Sequence, residues 1–357
     1  MRNLFYHIMI CMSFFIVACV KDKPNPEIKP LPSLNANGLL VLNEGSYSNN
    51  NAELSYIDLA TQEVSNALFK KVNNKSLGDV AQSLTIINGR YYIAVNNSHK
   101  IVILDTSNFT IIHTIEQIKF PRFITQINTD IAYVSSLYLP YVYVLQLSSN
   151  TIIDTIITDF PNTEQMIALQ NDVWICNWDT ACNYLYKVDK LTHQLKSKVN
   201  IGTYAPHDIV QDKNGMLWVL SGNKYKSKSS SLTCINPESH VIEKSLLFQT
   251  DEDPIRLSIN ESKDTLYYIN VNYVGGANNN GLYRMRIADN TLPPNPMVHA
   301  PLNTYFWAFN IDPVTSHLFL SDPKGFTQSS TIYEYTNDGS LLNTFQTGIG
   351  SNQLIFR

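Results

Sequence analysis

The side chains able to do chemistry are sparse in this sequence, and they sit at recurring places. Arg122, Glu164, His207 and Arg256 each fall inside a short run that starts on Pro or a small residue and ends on an apolar one. The runs are Pro121-Arg-Phe-Ile124, Thr163-Glu-Gln-Met166, Pro206-His-Asp-Ile209 and Pro254-Ile-Arg-Leu257. A carboxylate and an imidazole brought together, such as Glu164 and His207, could move a proton or hold a metal, and guanidinium groups could meet an anion. No GxSxG, HExxH or P-loop pattern accompanies them, nor a GxGxxG between strand and helix. A metal needs several carboxylates or imidazoles, whereas the equivalent places elsewhere carry Gln82, Phe, Ile and Asn352. Neither a catalytic group nor a metal is expected. Non-covalent binding is.

The elements that must position these residues follow from composition and repetition. Of 357 residues, 44% are hydrophobic, 11% aromatic and only 16% charged, with 20 Tyr, 15 Phe and 14 Gly. That is core material for a large β-rich unit. Lys+Arg 26 against Asp+Glu 30 gives −4, and without a basic block nucleic acid is excluded as a partner.

From Gly38 onward one unit recurs. Seven apolar runs precede a loop, among them Gly38-Leu-Leu-Val-Leu-Asn43, Arg90-Tyr-Tyr-Ile-Ala-Val95, Asp172-Val-Trp-Ile-Cys-Asn177 and Met216-Leu-Trp-Val-Leu-Ser221. Each is followed by a second run ending in a polar turn, such as Ile101-Val-Ile-Leu-Asp105, and then by a third strand. The opening runs begin at Ala81, Pro121, Thr163, Pro206, Pro254, Tyr305 and Ser351, which lie 40, 42, 43, 48, 51 and 46 residues apart. Four strands per unit at this period is the spacing of propeller blades. The first unit lacks its opening strand, and 351–357 is an opening strand with no unit after it. An all-β, seven-bladed propeller is therefore expected, closed by the C-terminal strand joining the N-terminal blade, which removes an open edge.

In that fold the opening strands line the central channel. Their starts share a face with the loops between second and third strands, which are the long ones: 44–51, 136–140, 177–183, 222–230, 272–281 and 322–330. Long loops on a rigid scaffold are where binding sits. The candidate ligand-binding residues there are Gln82, Arg122, Tyr138, Glu164, Gln165 and Trp178, with His207, Tyr225, Arg256, Tyr273, Trp307 and Asn352. Tyr and Trp give rigid contact area with a polar handle, and Asn and Gln both donate and accept.

The N-terminus reads as a leader. Arg2 precedes an apolar stretch over 4–17, too short to span a bilayer comfortably. It ends in Ile16-Val17-Ala18-Cys19, the pattern of a lipobox, with residues 1–18 removed and Cys19 acylated. Residues 19–37, with Pro24, Pro26, Pro30 and Pro32, then form an extended tether, and 38–357 the propeller. Acyl chains anchor a protein without spanning. Three cysteines remain in the propeller. Cys176 and Cys182 flank one hairpin loop and would bridge in an oxidising compartment, but an odd count without CxxC reads better as buried thiols.

Gly38-Leu-Leu-Val-Leu-Asn-Glu-Gly45 with Leu54-Ser-Tyr-Ile-Asp58 resembles the opening of the YVTN-type propeller lipoproteins of bacteroidetes. Phe120-Pro-Arg-Phe123, Thr163-Glu-Gln-Met166, Cys176-Asn-Trp178 and Asp212-Lys-Asn-Gly-Met-Leu-Trp-Val219 extend the resemblance, and Lys21-Asp22-Lys23 resembles their charged export signals. The best-understood branch captures vitamin B12 at the cell surface for a TonB-dependent outer-membrane transporter. The resemblance implies a lipid-anchored outer-membrane protein, at the cell surface or on the periplasmic face. It implies a corrinoid as ligand, with no covalently bound cofactor, and puts Arg122, Glu164, Gln165 and Trp178 on the binding face. The alternatives are an adhesion or scaffold propeller that binds protein or glycan, and a metal-dependent, lactonase-like hydrolase using Glu164 and His207.

Overall fold

The computed structural model describes residues 38–223, 226–250, 252–272 and 279–357. The leader, Cys19, the tether, Lys224, Tyr225 and Tyr273 lie outside the described residues. Among the described residues, seven four-stranded antiparallel sheets succeed one another along the chain, which makes the protein a seven-bladed β-propeller. The innermost strands of blades one to seven are Ser351–Phe356, Ala81–Ile87, Pro121–Gln126, Thr163–Leu169, Pro206–Gln211, Asp253–Ile259 and Ala308–Ile311.

The second strands explain the unbroken apolar runs. Leu39 to Leu42 are all fully buried, with Leu40 and Leu42 in the core between blades one and two and Leu39 and Val41 in the core between blades seven and one. A strand covered on both faces has no polar side to show, so alternation disappears. It returns in the outermost strands, where Ile153 and Ile157 stand half exposed or more. The core is thus seven clusters wedged between blades rather than one central mass.

Closure follows the split repeat. The C-terminal strand pairs antiparallel with Gly38–Asn43, placing Leu40 opposite Ile355 and Val41 opposite Leu354. The Ser351 hydroxyl donates to Asn43 Oδ1 (2.7 Å), and Arg357 N donates to the Gly38 carbonyl (3.0 Å). Around the channel, inner strands of neighbouring blades are tied by side chains. Gln353 exchanges two bonds with the Leu84 backbone (2.8 Å each), and Asn310 Nδ2 donates to Leu354 O (2.8 Å).

The structure departs from the sequence expectation in three places. Tyr305 and Trp307 precede the inner strand of blade seven, which starts only at Ala308, because Phe306 turns into the inter-blade core with no exposure. In blade five the hairpin extends into the expected loop, with Asn223 opposite Lys228. Blade one has only Val64–Ser65 as its fourth strand, followed by the helix Leu68–Asn73, whose first amides at Phe69 and Lys70 donate to the Glu53 carboxylate. Cys176, Cys182 and Cys234 are buried free thiols, and burial pushes Cys182 up to about 12. No helix among the described residues is long and apolar enough to cross a membrane.

Candidate functional site

One local device builds the site. In six of the seven blades the pairing of inner and second strands slips by one residue near the start of the inner strand. The residues at the slips are Gln82, Arg122 with Phe123, Glu164 with Gln165, His207, Arg256 with Leu257, and Asn352. A bulge bends its strand and re-aims a side chain. The bulge falls within or directly beside the variable pair of six opening runs, and repetition around the ring turns polar bulged residues toward one axis. Blade seven pairs without a slip, and Trp307 just ahead of its strand takes the corresponding place.

These residues surround a cavity of about 320 Å³ at one mouth of the channel, lined by Gln82, Arg122, Glu164, Trp178, His207, Arg256 and Trp307. An adjoining space of about 300 Å³ shares Gln82, Phe123 and Arg256 with it and adds Gln165 and Asn352. Tyr138 lines neither. It stands on the loop of blade three, 64% exposed, with its ring edge-on to Phe120 at 5.2 Å.

The cations are already engaged. Arg122 donates to Glu164 Oε1 (2.6 Å) through one terminal nitrogen and to Gln82 Oε1 (2.7 Å) through the other. Arg256, with φ of 62°, donates from Nε to the Trp307 carbonyl (3.0 Å) and lies over the Trp307 ring at 5.4 Å. Phe326 meets that ring edge-on at 5.2 Å, so Trp307 is packed from two sides. Trp178 is held differently: its indole N–H donates to Gly222 O (3.1 Å), fixing the ring at the cavity wall.

The cavity also holds residues that sequence reasoning did not single out: Glu44, Asp208, Asp253 and Phe123. Glu44 directly follows the second strand of blade one, Gly38–Asn43, and Asp208 adjoins the His207 bulge. Only the closed ring brings them in. His207 Nδ1 lies 3.4 Å from Asp208 Oδ2, which also accepts from Leu257 N (3.0 Å). Burial works against charge on His207, but Asp208 and Glu164 outweigh it and its pKa ends raised. Burial likewise opposes the Asp208 carboxylate, yet His207 and the Leu257 amide hold its pKa below the ordinary value. Burial raises Glu164 against the pull of Arg122. Glu44 is pushed up by burial to about 7. Arg256 is lowered by burial, its nearby carboxylates opposing.

Two guanidinium groups thus face four carboxyl groups and an imidazole, a charge-compensated surface between aromatic walls. An entering anion would have to displace Glu164 from Arg122 or compete with the carboxylates near Arg256. A ligand offering neutral donors and acceptors would not. Among the described residues no three of His, Cys, Asp and Glu converge closely enough to hold a metal ion.

Fold and site together define a β-propeller with a polar, aromatic-walled cavity at one mouth of its channel. The chain belongs to the family described as Domain of unknown function (DUF5074), matched over residues 37–348. No curated protein matches it in sequence. Among solved structures it is similar to a quinonprotein alcohol dehydrogenase-like protein from Bacteroides thetaiotaomicron, at 14% identity and a TM-score of 0.70, covering 90% of this chain and 78% of that one. The periplasmic gluconolactonase of Pseudomonas aeruginosa is also similar, at 11% identity and a TM-score of 0.61, covering 89% and 99%. So is a functionally unknown protein from Desulfotomaculum acetoxidans, at 15% identity and a TM-score of 0.58, covering 89% and 98%. At these identities the likeness is one of fold.

Proposed function

We propose that this protein is a lipid-anchored, non-catalytic propeller that captures a ligand at the channel mouth, and that the ligand is a corrinoid destined for an outer-membrane TonB-dependent transporter. The observation that carries the binding reading is the ring of bulges, which aims Gln82, Arg122, Glu164, His207 and Arg256 at shared space beside Trp178, with Asn352 lining the adjoining space. The corrinoid, the anchor and the transporter rest on the resemblance to bacteroidete surface lipoproteins.

The chemistry narrows how such a ligand would sit. A cavity near 320 Å³ is at the small end of ligand pockets, so a corrin ring would lie across the mouth with its fringe inside. Amide side chains would meet the Gln, Asn and carboxyl groups, and the Trp178 ring offers an apolar face. Arg122 is held by Glu164 and Gln82, and Arg256, which would meet a nucleotide phosphate only through its terminal nitrogens, already lies near Asp208, Glu44 and Glu164, so the phosphate contributes little. Calorimetric titration of residues 38–357 with cyanocobalamin and with cobinamide, which lacks the nucleotide loop, tests this. Saturable one-to-one binding of both with similar affinity is expected, with at least about a tenfold loss in Trp178→Ala. Flat traces with both ligands on folded protein would sink the corrinoid reading.

One observation favours a second reading. Glu164, His207 and Asp208 share the cavity, and a structural neighbour is a gluconolactonase. A hydrolase would show metal-stimulated lactone turnover that is lost in Glu164→Gln.

A further inference from the structure

We propose that Glu44 is a ligand-contacting residue of this mouth and that it meets the ligand as a neutral carboxyl group, so that binding takes up a proton. The proposal rests on the reading of the cavity as a binding site. Glu44 is rigidly placed. Its N–H donates to Gly350 O (2.9 Å) beside the inner strand of blade one, and its carbonyl accepts from Ala81 N (3.2 Å) at the start of blade two. Gly350, with φ of 67°, passes so close that an added Cβ would come within 3.0 Å of Glu44 Cγ.

Its partners differ from those of the neighbouring acids. Glu164 has Arg122 at 2.6 Å, and Asp208 has His207 at 3.4 Å. Glu44 accepts from Asn352 Nδ2 (2.9 Å), and among the described residues no ion pair involves it. The cations that face it are Arg122 from blade three and Arg256 from blade six. The first is spent on Gln82 and Glu164, the second on the Trp307 carbonyl and ring. The other ionisable groups around the cavity are Glu164, His207, Asp208 and Asp253, on blades four to six.

Burial already holds Glu44 near half-protonation at neutral pH, at about 7. A ligand closing the mouth removes more water and penalises the charged form further. The neutral carboxyl adds an O–H donor while keeping an acceptor, which matches the carbonyl of a ligand amide.

Two measurements on the full chain test this. The first is a titration of ¹³C-labelled glutamate carboxyls by NMR. One midpoint near 7 is expected, absent in Glu44→Gln. If every glutamate titrates below about pH 5.5, within ordinary scatter, the proposal falls. The second is cobinamide affinity at about pH 6 and about pH 8. Roughly tenfold weaker binding is expected at the higher pH, the slope disappearing in Glu44→Gln. A slope that survives the substitution overturns the proposal, since His207 would then be its source. No binding at either pH would instead defeat the corrinoid reading, and the carboxyl titration alone would decide the state of Glu44.

Discussion

Arg122 and Glu164 sit on inner strands of adjacent blades, each displaced from its ladder by a bulge, and their side chains meet at 2.6 Å across the channel mouth. The pair is nearly enclosed, with 16% of the Arg122 side chain and 4% of the Glu164 side chain exposed. Breaking one half of a buried pair strands the other charge. Arg122→Met should therefore destabilise the protein by about 3–5 kcal/mol, and Arg122→Met with Glu164→Leu should recover most of that. Denaturant unfolding of the two variants checks it. Equal losses in both would mean that the pair itself, rather than the orphaned carboxylate, sets the cost.

Glu44 carries a stability prediction of its own. Its folded value of about 7 lies above the ordinary 4.5, so between these values the folded protein binds more protons than the unfolded chain. Stability then falls as pH rises through that window. Glu44→Gln should match wild type at about pH 4 and exceed it at about pH 8, by at most about 3 kcal/mol at 1.36 kcal/mol per pH unit. Thermal melts at the two pH values give the comparison, and a gain independent of pH would contradict it.

The closing strand supplies both a ladder and part of the site. A chain ending at Gly350 loses the pairing of Leu39 to Asn43 with Phe356 to Ser351, and with it the Asn352 amide that holds Glu44. It should lose cooperative unfolding or melt well below wild type, because blade one is left with an open inner edge. Circular dichroism melts would show this. An unchanged midpoint would mean the ring does not depend on that closure.

Burial sorts the apolar positions. Leu40 has no exposure and packs between blades one and two, so Leu40→Ala should cost about 2–5 kcal/mol. Ile153, half exposed on an outermost strand, should cost less than about 0.5 kcal/mol on the same change. Urea midpoints of the two variants test the assignment. Similar losses would place the core elsewhere.

The sequence by itself determined the blades, their number and the closure. Each second strand must be apolar on both faces and each turn must carry reversing residues, so both leave a local mark that repeats with the blade. It also placed Arg122, Glu164 and His207 at one offset and Arg256 one residue further on, because a bulge occupies a nearly fixed place at the start of each inner strand. Tertiary structure decided what those residues do. Whether an arginine is free or paired depends on a neighbour about forty residues away, and the ring spends Arg122 on Glu164 and Arg256 on Trp307. Glu44 became part of the mouth only when the last strand of the chain closed against the first and set Asn352 beside its carboxyl group. A contact made between the two ends of a chain leaves no local pattern in either.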